Sequence, residues 1–145
     1  MIAVVNLAPG AAHVSQRLQL IANFLRDANI AWLREQLAMG YRPPARASLA
    51  MPPWSAGGSV VYVPFHGDTP HAELRHYFDG PSMFARRKGT CIDIGAYDAA
   101  AATVLERTPT DVVVLPLEQR PKFHVWLSTP GQGLVDATRD FRKVG

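Results

Sequence analysis

Gly89-Thr90-Cys91-Ile92-Asp93-Ile94-Gly95-Ala96 holds the only cysteine of this 145-residue chain. Thr90 is a favoured helix N-cap. Asp93 follows at capping-box spacing, with Asp in place of the longer Glu. The stretch therefore predicts a helix over 91–107 that starts at Cys91 and stops before Pro109. Its Ala-rich centre, Ala99-Ala100-Ala101-Ala102, allows close packing against neighbours. Backbone N–H groups and the dipole at a helix start favour an anion, and a thiolate is such an anion. The basic run Arg86-Arg87-Lys88 precedes it and pushes the same way. Taken alone, Cys91 reads first as a small buried hydrophobe packing the helix start.

Downstream, residues 111–115 form an apolar run that predicts a fully buried strand. Phe123-His124-Val125-Trp126-Leu127-Ser128 and Leu134-Val135-Asp136-Ala137-Thr138 flank the turn Pro130-Gly131-Gln132-Gly133. This is a hairpin pattern. A loop centred on Pro130 sets His124 directly opposite Asp136, both on one face. An imidazole–carboxylate contact there would fix the ring's tautomer and orient it. The plain alternative is a surface cross-strand pair of little energetic weight. Phe123, Val125 and Leu127 alternate with His124 and supply an apolar face. Trp126 shares the His124 face and makes it a partly covered cleft. Cysteine, histidine and aspartate thus occur in an order that can supply a nucleophile, its base and the group that orients the base.

The rest of the chain frames this constellation. Residues 15–38 predict helix, with Leu18, Ile21, Leu25, Trp32 and Leu33 as a broken apolar stripe. Asp27-Ala28-Asn29 is a place where it could split in two, and Gly40 is its stop. Residues 42–53 are proline-rich and read as an extended crossing segment, anchored by Trp54. Residues 59–63 predict a strand. Residues 66–88 read as loops with a short helix near 72–77. One domain is expected over 1–145, with an N-terminal helical and Pro-rich extension (1–53) and a core (54–145).

Composition excludes several classes. One cysteine rules out an internal disulfide framework and a cysteine-based zinc site. Net charge is +3, with most of the basic residues scattered, so no specific nucleic-acid partner is implied. Residues 1–9 lack the pattern of a signal peptide, and no stretch reads as a membrane span, so a cytoplasmic protein is expected. His66, His71 and His76 are five apart and share no helix face, so they read as solvated. Asp98 and Asp140 read as surface acids.

These motifs resemble the transglutaminase-like family of papain-like folds. The likeness lies in Gly89-Thr90-Cys91 followed by an acid and small residues, His124-Val125-Trp126 on a strand, and Asp136-Ala137-Thr138 after a glycine turn. It covers residues 62–141. Thr90 and Ile92 depart from it, standing where relatives often carry aspartates. The resemblance implies an α+β fold, with a nucleophile helix on a small antiparallel sheet. It implies cysteine-dependent acyl transfer on an amide of a protein or peptide, as peptidase, amidase or transamidase, without metal or organic cofactor. Cys91 would attack, His124 would move the proton, and Asp136 would orient His124. The Cys91 amide would be one oxyanion donor. Trp54 or Tyr62 would be the other, with Thr90 and Trp126 as further support. The rival is a non-catalytic papain-like subunit of a larger assembly such as a phage particle, located in the virion.

Overall fold

The computed structural model describes residues 11–44, 60–63, 73–117, 123–139 and 141. Helix α1 (Ala11–Ala38) is continuous over 28 residues. Leu18, Ile21, Ala22, Leu25, Asn29 and Leu33 are buried, and their spacing of three or four makes one face. The expected split at 27–29 does not occur, because Asn29 lies on that buried face. Its Oδ1 accepts the Gly80 amide at 2.7 Å, so the polar side chain joins two elements instead of ending one. Gly40 closes the helix in a left-handed conformation, φ 86°, with the Tyr41 amide donating to the Gln36 carbonyl.

Strand β1 (Val61–Tyr62) realises the centre of the strand expected over 59–63. Of the short helix expected near 72–77, the described residues 73–77 hold a 3₁₀ turn, Leu74–His76. A separate helix that was not expected, α2 (Gly80–Arg86), follows, capped by Asp79 through the Ser82 amide. It ends on Arg87, whose φ of 56° turns the chain into β2 (Lys88–Gly89). Strands β1 and β2 pair in parallel, Tyr62 beside Gly89. Helix α3 (Cys91–Val104) begins where the capping box predicts and ends short of Arg107. Arg107 itself adopts a left-handed φ of 55°, so the helix stops by a backbone turn before Pro109 is reached.

Strands β3 (Asp111–Pro116), β4 (Phe123–Thr129) and β5 (Gly133–Asp136) form an antiparallel sheet in that order. The chain is thus mixed α and β, with a helix carrying the cysteine on a small antiparallel sheet. β3 is half-buried, not fully buried as its composition suggests. Val112 and Val114 face inward while Asp111 and Leu115 are exposed, because the described helices lie on one side of the sheet. Among the described strands β3 lies at an edge, and the Gln19 side chain of α1 reaches that edge. Its Nε2 donates to the Val112 carbonyl at 2.8 Å and its Oε1 accepts the Val114 amide at 2.7 Å.

Every residue of α3 from Cys91 to Ala102 is buried, including Asp98, which is therefore not a surface acid. A helix buried on all sides needs partners all round. α1 and the sheet supply them, and Phe84 of α2 meets Tyr97 edge-on at 4.8 Å. The closest approach is at Gly95, where a Cβ would meet Val125 Cγ1 at 2.6 Å. Gly95→Ala is expected to force α3 off β4 and destabilise the protein by about 1–3 kcal/mol. Urea unfolding measures this, and the midpoint should fall with the m-value unchanged.

Candidate active site

Cys91 is placed by a complete capping box. Thr90 Oγ1 accepts the Asp93 amide at 3.3 Å and Asp93 Oδ2 accepts the Thr90 amide at 3.0 Å. Thr90 therefore serves the helix end. Tyr62 reaches the same point because β1 pairs with β2, which ends two residues before Cys91. Its hydroxyl comes near enough to the Cys91 thiol for each to act on the other's titration. Of the two aromatic donors expected, Tyr62 is thus brought to the cysteine. Trp54 lies outside the described residues, as do His66, His71 and Asp140.

The expectation of a depressed thiol is overturned. Cys91 is 3% exposed. Burial, then the Asp93 charge, pushes its thiol up to about 12. The amides of Ile92 and Cys91 and the Tyr62 hydroxyl do pull it down, as a helix start should, but removal from water outweighs them. Nor does the basic run act on the sulfur as expected. The Arg86 guanidinium sits 4.2 Å from the Phe78 ring centre and draws Asp93 downward, while Arg87 and Lys88 are exposed. The resting group is a thiol, not a thiolate.

The second half of the site is on the hairpin. Its register differs by two residues from that expected, since Thr129 pairs with Gly133 and the loop centres on Gly131. Gly131 and Gly133 both take positive φ, which permits this tight three-residue loop. Trp126, not His124, is directly opposite Asp136. A two-residue shift preserves the face, so the His124–Asp136 contact survives on the diagonal. His124 Nε2 lies 2.9 Å from Asp136 Oδ1. The ring N–H is not aimed squarely at that oxygen, and Nε2 makes no well-aligned hydrogen bond. Trp126 packs edge-on against the imidazole, ring centres 4.9 Å apart. Burial draws the Asp136 carboxyl up. The Thr138 amide, the His124 ring and the Thr138 hydroxyl together hold it below the usual carboxylate range.

Val125 meets α3 at Gly95, so the alternation of β4 turns His124 and Trp126 to the opposite face of the sheet. Among the described residues no hydrogen bond joins the thiol to the imidazole. The group that feels both halves is the Tyr62 hydroxyl. Burial pushes its pKa up first, and then the Cys91 sulfur and the Asp136 carboxylate do the same.

Two contributors escaped the sequence reading. Tyr77 is buried beside Cys91, in a segment read as loop or short helix. Asp93 is also more than a cap, because its Oδ1 accepts the Phe78 amide at 2.8 Å. The capping-box spacing signalled Asp93, but nothing in the sequence signalled its second partner. Among the described residues no cluster of histidine, cysteine and acids could hold a metal ion, and no helix is long and apolar enough to cross a membrane. No protein-family model, curated protein or solved structure matches the chain.

Native Cys91 is expected to react slowly with iodoacetamide at pH 7, and to titrate above the value of about 8.5 for a free cysteine. Tyr62→Phe removes a hydroxyl that draws the thiol down and should move that titration further upward. Alkylation rates across pH, with the urea-unfolded chain as reference, check both.

Proposed function

We propose that the chain is a cysteine-dependent acyl-transfer enzyme of transglutaminase-like, papain-like kind, acting on amide bonds of a protein or peptide. The observation that carries this reading is the place of Tyr62, whose hydroxyl is within the influence of both the Cys91 thiol and the Asp136 carboxylate that contacts His124. In this reading Cys91 Sγ attacks the amide carbonyl. His124, on the other face of the sheet, takes the thiol proton by way of the Tyr62 hydroxyl, which accepts it and passes on its own, and Asp136 stabilises the imidazolium that forms. The Cys91 amide and the Tyr62 hydroxyl stabilise the oxyanion. The C–N bond then breaks, the amine leaves with the proton from His124, and a thioester to Cys91 remains. Water or a second amine releases the acyl group and returns the thiol.

Because burial holds the thiol protonated, attack and proton transfer belong to one step, as for a serine nucleophile. Dependence on the histidine and its acid is correspondingly strong. The burial of Cys91 at 3% exposure favours a second reading, a non-catalytic subunit of a larger assembly whose cysteine only packs the helix start.

The test is an amide-mimicking electrophile that labels active cysteine acyltransferases, followed by intact-mass analysis. Stoichiometric labelling of Cys91 is expected, lost in Cys91→Ala. Asp136→Asn should keep the fold and slow labelling by about 10³–10⁴, near the loss for the matching change in a serine triad. Combining Asp136→Asn with His124→Ala should be little worse than His124→Ala alone, since such residues act as a unit. Labelling no faster than that of a small free thiol, and indifferent to His124→Ala, would favour the assembly subunit.

A further inference from the structure

We infer that Thr138 is a positioning residue for the candidate base: it sets both of its donors on the one Asp136 oxygen that meets His124, and so fixes where that carboxylate points. The Thr138 amide donates to Asp136 Oδ1 at 2.9 Å, and the Thr138 hydroxyl donates to the same atom at 3.1 Å. His124 Nε2 lies 2.9 Å from that oxygen as well. A carboxylate at a strand end can turn about its side-chain bonds. Two donors from one residue hold Oδ1 in a single place. Thr138 is 7% exposed, so water competes little for its hydroxyl.

The turn that presents Thr138 is itself held. The Ala137 amide donates to the Val125 carbonyl at 3.2 Å, one residue past the end of β5. Ala137 is buried, and its Cβ is 3.4 Å from where a Cβ on Gly95 would stand. The Phe141 amide donates to the Thr138 carbonyl at 3.0 Å. The turn is therefore anchored on the contact between α3 and β4, while the Asp136 side chain is 36% exposed. From β4, Trp126 stands directly opposite Asp136 and packs edge-on against the imidazole. Trp126 thus restrains the ring and Thr138 restrains the acid. Burial raises the Asp136 carboxyl, and the Thr138 amide and hydroxyl are among the groups that hold it low. An ionised oxygen fixed at Nε2 favours a proton on that nitrogen and leaves Nδ1 able to accept one. The value of this to catalysis rests on the acyl-transfer reading, but the contact itself is read without any substrate.

The experiment compares wild type, Thr138→Val and Thr138→Ser. The first measurement is the ¹H–¹⁵N spectrum of the His124 ring, at a pH about two units above the ordinary imidazole value of about 6.5. The proton on the buried Nε2 should resonate downfield of a solvated ring N–H in wild type and in Thr138→Ser, which keeps the hydroxyl. In Thr138→Val it should move upfield. The second measurement is the rate at which the amide-mimicking electrophile labels Cys91. It should fall about tenfold in Thr138→Val, the lower end for a lost hydrogen bond to a charged group, and stay near wild type in Thr138→Ser. An unchanged ring resonance in Thr138→Val, even with a lower urea midpoint, overturns the inference and leaves Thr138 as a bond within the turn. Faster labelling overturns it too, because Thr138 would then compete with the imidazole for Oδ1. Should Thr138→Val not fold, Thr138→Ala removes the same hydroxyl and is read in the same way. Absence of labelling in every variant counts against acyl transfer alone, because the ring resonance still decides the role of Thr138.

Discussion

Helix α3 can lie on β4 only because Gly95 has no side chain, and most of the molecule follows from that contact. Val125 fills the space where a methyl would be, so the inward face of β4 is fixed as Phe123, Val125 and Leu127. Strand alternation then turns His124 and Trp126 outward, whatever their own preferences. The same contact leaves α3 buried along most of its length. Its start is buried and must find polar partners inside the protein, while its last turn is only half-buried. At the start the capping box does this. Toward the other end Thr103 Oγ1 bonds the Ala99 carbonyl and receives the Thr110 amide, and Arg26 of α1 reaches both Thr103 and the Thr110 carbonyl.

The two halves of the candidate site obey different electrostatics for the same reason. Asp136 is partly exposed and has donors on its oxygen, so it stays ionised easily. Cys91 and Asp93 lie in the core, where a charge must be held by hydrogen bonds or given up. Asp93 has two amides to hold it. Cys91 has weaker donors and an adjacent carboxylate, so it keeps its proton. A helix start favours an anion, but that advantage is worth less than the water lost when the group is fully covered.

Much of this was legible in the residues. Thr90 and Asp93 announced the helix start, and Pro130-Gly131-Gln132-Gly133 announced the hairpin. The face shared by His124, Trp126 and Asp136 was also legible, because period two survives an error of two in register. What sequence could not show was tertiary. Asn29 looks like a helix breaker until Gly80 is found against it. Asp98 looks like a surface acid, and Asp111–Pro116 like a covered strand, until the side on which the helices lie is known. The depth of Cys91 is of the same kind, since burial belongs to the assembled core and outweighs every local signal at the helix start.

Gln19 has a role that reaches past the single molecule. Its amide satisfies a carbonyl and an N–H of β3 on the side away from β4, mimicking a one-residue strand. A bare edge of this kind is a template on which another chain can add and polymerise. The glutamine occupies two groups of that edge from within α1. A helix that looks like packing for the core therefore also occupies two backbone groups at the edge of the three described strands.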